Sequence, residues 1–254
     1  DLLLRWRGKN LIKRYPETES MVNWMGLPGD GAKVVAEKMY RYGYHRIPTT
    51  INFMSTPQKQ GDELLKDIEG TIVNTRYLPY VDRFELNVSC PNTHSNTGKI
   101  DVREENLRRL DAMLKVVETY VYPDQDIYLK TSPDSTEADV NDTMDAAKNY
   151  RINGFVTTNT TTKHDRRYIS VSPMIDGKQV GGGSGNAVYG DSLKVQKFYN
   201  TKRKELNKDW KLIACGGINS LERVVERLVN DAIGIQIYTP LIFSGTKLIR
   251  QMRC

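Results

Sequence analysis

A chain of 254 residues, 39% hydrophobic and 27% charged, has apolar material for a sizeable core, and this balance argues against disorder. No apolar run reaches the ~18 residues of a membrane-spanning helix, and the opening DLLLRWRGKN has neither the apolar stretch nor the cleavage site of a signal peptide. The net charge is +6, but the basic stretches TKRKELNKDWK (201–211) and KHDRR (163–167) carry no aromatic residues interleaved in a recognisable motif, so they read as solvated surface and not as a nucleic-acid face.

Helix-like and strand-like segments alternate along the chain. Val34, Val35, Met39 and Tyr40 predict a helix near 31–42, followed by a strand, TTINFM, at 49–54. Leu64, Leu65, Ile68, Ile72 and Val73 predict a helix over 61–75, then the strand RFELNVS at 83–89. Leu107, Leu110, Met113, Leu114 and Val117 mark the next helix, and IYLKT (127–131) the next strand. Asp134 and Glu137 resemble a capping box ahead of a helix marked by Val140, Met144 and Ala147. GFVTTN (154–159) is a strand, and Leu193, Val195, Phe198 and Tyr199 form a looser helical pattern. KLIACG (211–216) precedes a helix carrying Leu221, Val224, Val225 and Leu228, with Asn219 and Glu222 as its capping box. IGIQIY (233–238) is the last strand. The strands read as apolar on both faces, as parallel strands covered by helices should be.

This order predicts an α/β fold with parallel strands, and the lack of a Pro/Ser-rich linker predicts a single domain over 1–254. No G-x-G-x-x-G follows the first strand, which disfavours an open dinucleotide-binding sheet. A TIM (β/α)8-type barrel instead gathers polar residues at the C-terminal ends of its strands. Asn52, Asn87 with Cys90 and Asn92, Lys130, Thr158 with Asn159 and Thr160, the CGGI after the fifth strand, and Tyr238 with Thr239 all stand at such ends.

Two glycine stretches, GGGSG (181–185) and CGGIN (215–219), are tight turns or close-approach loops for a phosphate. Their order, with YTPLIFSG (238–245), favours phosphate. Lys130 ends a buried strand and must pair or reach a ligand. The amides of Asn23, Asn87, Asn92 and Asn159 suit a flat, heteroatom-rich ring such as a pyrimidine. Cys90 is either a small packing residue or, at a strand exit beside Pro91, a thiolate; no triad partner is evident, so a general base is at least as plausible as a nucleophile. Cys90, Cys215 and Cys254 form no C-x-x-C pair, and His45, His94 and His164 show no ligand spacing, so no metal site is expected. Such cysteine usage fits a reducing, cytoplasmic compartment.

ELNVSCPNT (85–93) resembles the strand-four loop of dihydroorotate dehydrogenases. NWMGLPGDGA (23–32), YLKTSPD (128–134), TTNTT (157–161), GGGSG, ACGGI and IQIYTPLIFSG also resemble that family, in its order, from about residue 16 onward. The resemblance implies a TIM barrel that holds FMN and oxidises dihydroorotate to orotate in pyrimidine biosynthesis. By motif position it makes Cys90 the base for a C5 proton, with the C6 hydride passing to flavin N5. It implies that Asn23, Asn87, Asn92 and Asn159 hold the pyrimidine and that Asn52, Lys130 and Thr158 flank the flavin. Ser184, Gly185, Gly216, Gly217, Tyr238 and Thr239 would bind ribityl and phosphate groups.

The family places two further strands and a flavin-contacting lysine ahead of the region matching Asn23. The six strands here therefore correspond to strands three to eight, and the absence of an initiator Met leads us to expect more chain upstream. A cysteine base and MGLPG resemble the soluble enzymes, whereas TNTT and IYTPLIFSG resemble the membrane-associated, quinone-using ones. The electron acceptor, a homodimer and a membrane association through an upstream segment stay open. So do two other readings: a flavin barrel reducing a dihydropyrimidine or dihydrouridine, and a non-catalytic barrel remnant.

Overall fold

A computed structural model describes residues 11–43, 47–88 and 102–252, the side chain of residue 102 excepted. In chain order the main elements are β1 (Ile12–Tyr15), β2 (Ser20–Asn23), α1 (Ala32–Tyr42), β3 (Thr49–Phe53), α2 (Gly61–Thr75), β4 (Val81–Asn87) and α3 (Val102–Tyr120). They continue as β5 (Asp126–Thr131), α4 (Glu137–Ala147), β6 (Gly154–Thr157), β7 (Met174–Ile175), β8 (Lys178–Gln179) and β9 (Gly182–Gly185). The chain ends with α5 (Tyr189–Glu205), β10 (Lys211–Cys215), α6 (Leu221–Val229), β11 (Ala232–Gln236), α7 (Thr239–Ser244) and α8 (Lys247–Gln251). All six strands and six helices expected from periodicity are present.

The described residues fall into two compact units interleaved along the chain. One comprises those of Gly29–Lys130 and Ala138–Phe155; the other comprises those of Asp1–Pro28, Thr131–Glu137 and Val156–Cys254.

In the first unit β4 pairs in parallel with β3 on one side and β5 on the other, in a register that sets Asn52 beside Glu85 and Asn87 beside Lys130. Alternation along these strands separates two chemistries. Phe84, Leu86, Ile127 and Leu129 are fully buried, as are Ile68 and Ile72 of α2 and Leu114 and Val117 of α3. Phe53 meets Phe84 edge to face at 6.0 Å. The intervening positions carry Arg83, Glu85 and Asn87 on β4 and Asp126, Tyr128 and Lys130 on β5. For β4 and β5 the expectation of strands apolar on both faces is thus corrected: one face is polar and pairs largely within itself, whereas β6 is buried at every position. Arg83 sits 3.4 Å from Asp126 and 4.2 Å from the centre of the Tyr128 ring.

The face of α1 also differs from expectation. Val34 and Tyr40 are exposed, and Ala36 is the buried residue. The stripe Ala32, Val35, Ala36, Met39 turns inward instead, because it keeps helical spacing while its alanines permit close approach.

Arg103 of α3 grips Asp142 of α4 through Nε and Nη2, both at 2.5 Å. That guanidinium holds the Asp142 carboxyl below the usual carboxylate range, against the opposing effect of burial. A lowered folded-state value means stabilisation that is complete above the unfolded-state value and lost as pH falls through the folded one. Asp142→Asn is therefore expected to flatten the acid limb of a thermal-melting profile below about pH 4 and to leave its slope above pH 6 unchanged.

In the second unit β2 is the centre of an antiparallel sheet with β1 and β9, pairing Asn23 with Gly182 and Ser20 with Gly185. GGGSG is thus mostly strand, not turn. Its glycines let the backbone lie close to its neighbours: a Cβ on Gly183 would stand 2.8 Å from Ile169 Cδ1. Tyr15, Val22 and Ile169 form the core beneath this sheet. β10 and β11 pair in parallel, and Ala214, Ile218, Val224 and Ala232 pack together behind them.

Both expected capping boxes are displaced. Ser220, not Asn219, caps α6 by accepting from the Arg223 amide. Asn219 instead donates to Glu19 at 2.6 Å. Asp134 accepts from the Thr161 hydroxyl (2.5 Å) and the Thr162 amide (2.8 Å), a pairing across the fold that outcompetes local capping. On α6, Val224 and Arg227 are buried while Leu221, Val225 and Leu228 are exposed. The basic segment 201–211 is occupied locally: Arg203 and Lys204 reach Asp231, and Lys211 reaches Asp209.

Candidate functional site

In the first unit a polar cluster forms where β3, β4 and β5 end. The Lys130 ammonium stands 3.2 Å from Glu85 Oε1, and Asn52 Nδ2 donates to the same oxygen at 2.5 Å. Glu85 is 1% exposed. A carboxylate this deep is tolerated only with charge pairing and hydrogen bonds. Lys130 therefore pairs, as its buried strand-end position requires. The arrangement points an ammonium and a primary amide along one strand end, which suits an electron-rich heterocycle. Asn87 lies on the same face, its Nδ2 3.9 Å from the Met54 sulfur. Cys90 and Asn92 lie outside the described residues.

In the second unit three separate chain segments meet. The Ser184 hydroxyl donates to Met21 O at 3.2 Å and accepts from the Thr239 hydroxyl at 2.9 Å. Gly185 (φ 77°) and Gly217 (φ 67°) adopt left-handed backbone, and a Cβ on Gly217 would stand 2.6 Å from Gly185 O. Ser184, Gly185, Gly217 and Thr239 are thus brought together, and only hydrogen fits where Gly217 meets Gly185. Gly216 packs on Ser192, whose hydroxyl donates to Cys215 O at 2.6 Å; the Thr158 amide donates to the same carbonyl at 2.6 Å. The Asn159 amide donates to Thr131 O, and Asn23 is half-buried at the end of β2. Tyr238 is 64% exposed.

Glu85, Arg223 and Arg227 are the functional candidates that sequence reasoning passed over. Glu85 had a usable signal: a carboxylate between Phe84 and Leu86 on a buried strand needs a cation nearby. The arginines had none, because a basic residue on a helix ordinarily faces water. Among the described residues no cluster of His, Cys, Asp and Glu suits a metal ion, and no helix is long and apolar enough to cross a membrane.

Residues 10–253 match the sequence model of the dihydroorotate dehydrogenase family. The chain belongs to that family. A relative from Natronomonas pharaonis, named dihydroorotate dehydrogenase (quinone), is 28% identical over 240 residues, covering 94% of this chain and 63% of that protein. One of the same name from a Sulfurovum species is 29% identical over 245 residues, covering 96% and 64%. The chain thus spans a little under two thirds of the length of these relatives. The crystal structure of DHODH from Eimeria tenella in complex with ferulenol superimposes with a TM-score of 0.78 at 20% identity, over 96% of this chain and 68% of that one. The fold is therefore the α/β barrel type of the dihydroorotate dehydrogenases, with β3, β4, β5, β6, β10 and β11 as its parallel strands.

Proposed function

We propose that this protein is an FMN-dependent oxidoreductase that converts dihydroorotate to orotate in pyrimidine biosynthesis. Family membership carries this reading. Two features of the fold support it: the Asn52–Glu85–Lys130 cluster at the strand ends and the close-packed turns at Gly185 and Gly217. Their left-handed glycines (φ 77° and 67°) give the kind of backbone in which amides can converge on an anion such as phosphate.

FMN, when bound, supplies an acceptor for the hydride leaving C6 of dihydroorotate. The chain's own residues do the rest. Cys90, as thiolate, takes the C5 proton, and the two losses leave the C5–C6 double bond of orotate. Asn23, Asn87, Asn92 and Asn159 hold the pyrimidine by its amide edges. Asn52 and Thr158 would line the flavin, and Lys130 would lend it positive charge. Ser184, Gly185, Gly216, Gly217, Tyr238 and Thr239 would hold the ribityl chain and phosphate. The relatives' names point to quinone as the electron acceptor.

Purified protein is expected to carry FMN and be yellow, and to bleach when dihydroorotate is added without oxygen. Bound FMN that resists dihydroorotate but is reduced in the reverse sense by dihydrouridine-containing RNA would replace the substrate assignment. A colourless protein that takes up no added FMN would sink the flavin reading.

A further inference from the structure

Arg227 is the largest fully buried side chain described, with 0% exposure. It lies on α6, and its guanidinium points under the 215–219 loop. Nη2 donates to Gly216 O (3.1 Å), Ser192 Oγ (2.9 Å) and Tyr189 O (3.3 Å), and Nη1 donates to Gln196 Oε1 (3.0 Å). Every one of these groups is neutral. Nε is buried with no partner among the described residues. Burial pulls the guanidinium down to about 10, which still leaves it charged at neutral pH. A buried cation hydrogen-bonded only to neutral acceptors is costly, and the Glu226 carboxylate, which accepts from the Tyr189 hydroxyl, offsets part of that cost without a direct bond to Arg227 among the described residues. An anion bound near by would offset that cost.

The loop geometry says where. Arg227 holds the Gly216 carbonyl, and Arg223 Nη1 holds the Gly217 carbonyl at 2.6 Å. In a trans peptide plane the N–H points opposite the preceding C=O. Turning both carbonyls toward the arginines therefore aims the Gly217 and Ile218 amides the other way. Gly216 (φ 118°) and Gly217 (φ 67°) permit that backbone. The Tyr189 ring stacks beneath both guanidiniums, at 4.1 Å from Arg223 and 5.0 Å from Arg227.

We propose that Arg227 is a positioning residue for phosphate: it locks the Gly216–Gly217 turn with its amides aimed away from the arginines and places a buried positive charge behind them. The role rests on the flavin reading above and assigns the loop to the phosphate in particular, not to the flavin ring.

The test compares FMN with riboflavin, which lacks the phosphate, on full-length protein stripped of flavin. Wild type is expected to bind FMN far more tightly. Arg227→Met should weaken FMN by roughly tenfold or more and leave riboflavin unchanged, while Arg227→Lys keeps most of the FMN affinity. Gln196→Glu keeps an acceptor for Arg227 and sets a carboxylate beside it, at the cost of the bonds Gln196 Nε2 donates to Arg227 O and Asn230 O; that cost falls on both flavins alike, so a selective loss of FMN reads the charge if Arg227→Met does not fold. Parallel losses of FMN and riboflavin, or unchanged FMN affinity in Gln196→Glu, would overturn the proposal while the flavin reading stands. Wild type that binds neither flavin would overturn both.

Discussion

Cys90→Ala is expected to slow anaerobic reduction of the bound flavin by dihydroorotate by roughly 10²- to 10⁴-fold, the usual worth of a positioned general base. FMN content should be unchanged, because the base acts on the substrate. The pH profile carries the sharper signature. A thiol must lose its proton to act, so the wild-type rate rises with pH toward the ordinary thiol range, about 8.5. Cys90→Ser has no group that ionises there, so it should be strongly slowed and lose that rise. Stopped-flow absorbance of the flavin band measures both. A Cys90→Ala variant reducing its flavin at the wild-type rate would remove Cys90 from the chemistry and return it to packing.

Lys130→Met is expected to destabilise the protein by roughly 3 kcal/mol, read as a shift in the urea midpoint at neutral pH. The cause is not a lost attraction alone. Glu85, 1% exposed, would lose its cation and be left with Asn52 Nδ2 and its remaining local bonds. Replacing both partners, Lys130→Met with Glu85→Leu, should recover most of that loss, since an apolar pair carries no such desolvation cost. Flavin binding should not recover, because the cation is gone in either case. Stability and cofactor affinity would thus separate, the first following the pair and the second following Lys130. If Lys130→Met unfolds at the wild-type midpoint, the Glu85 pairing contributes no stability and the ammonium's place is set by something else.

Much of the fold was legible because hydrophobic periodicity is local. Six helices follow from spacings of three and four residues, as in Leu64–Ile68–Ile72, and six parallel strands from short apolar, β-branched runs such as IYLKT. The three-stranded antiparallel sheet was not legible. Its strands, IKRY, SMVN and GGSG, are four residues each, and none shows a sustained alternation. The direction of α1 was missed for a related reason: it carries two neighbouring apolar stripes, and only packing chooses between them.

The candidate site divides the same way. The sequence by itself determined the order of the elements, the polar residues at the strand ends and, through ELNVSCPNT and its companions, the family. These depend on residue type and short spacing, which a linear chain displays openly. Only the tertiary structure decided that Glu85 balances Lys130, that Ser184 meets Thr239, and that Arg227 lies buried beneath Gly216. Each of those joins distant residues whose individual spacing carries no signal. A buried charge declares itself only once the fold has removed water from around it and left a particular neighbour within reach.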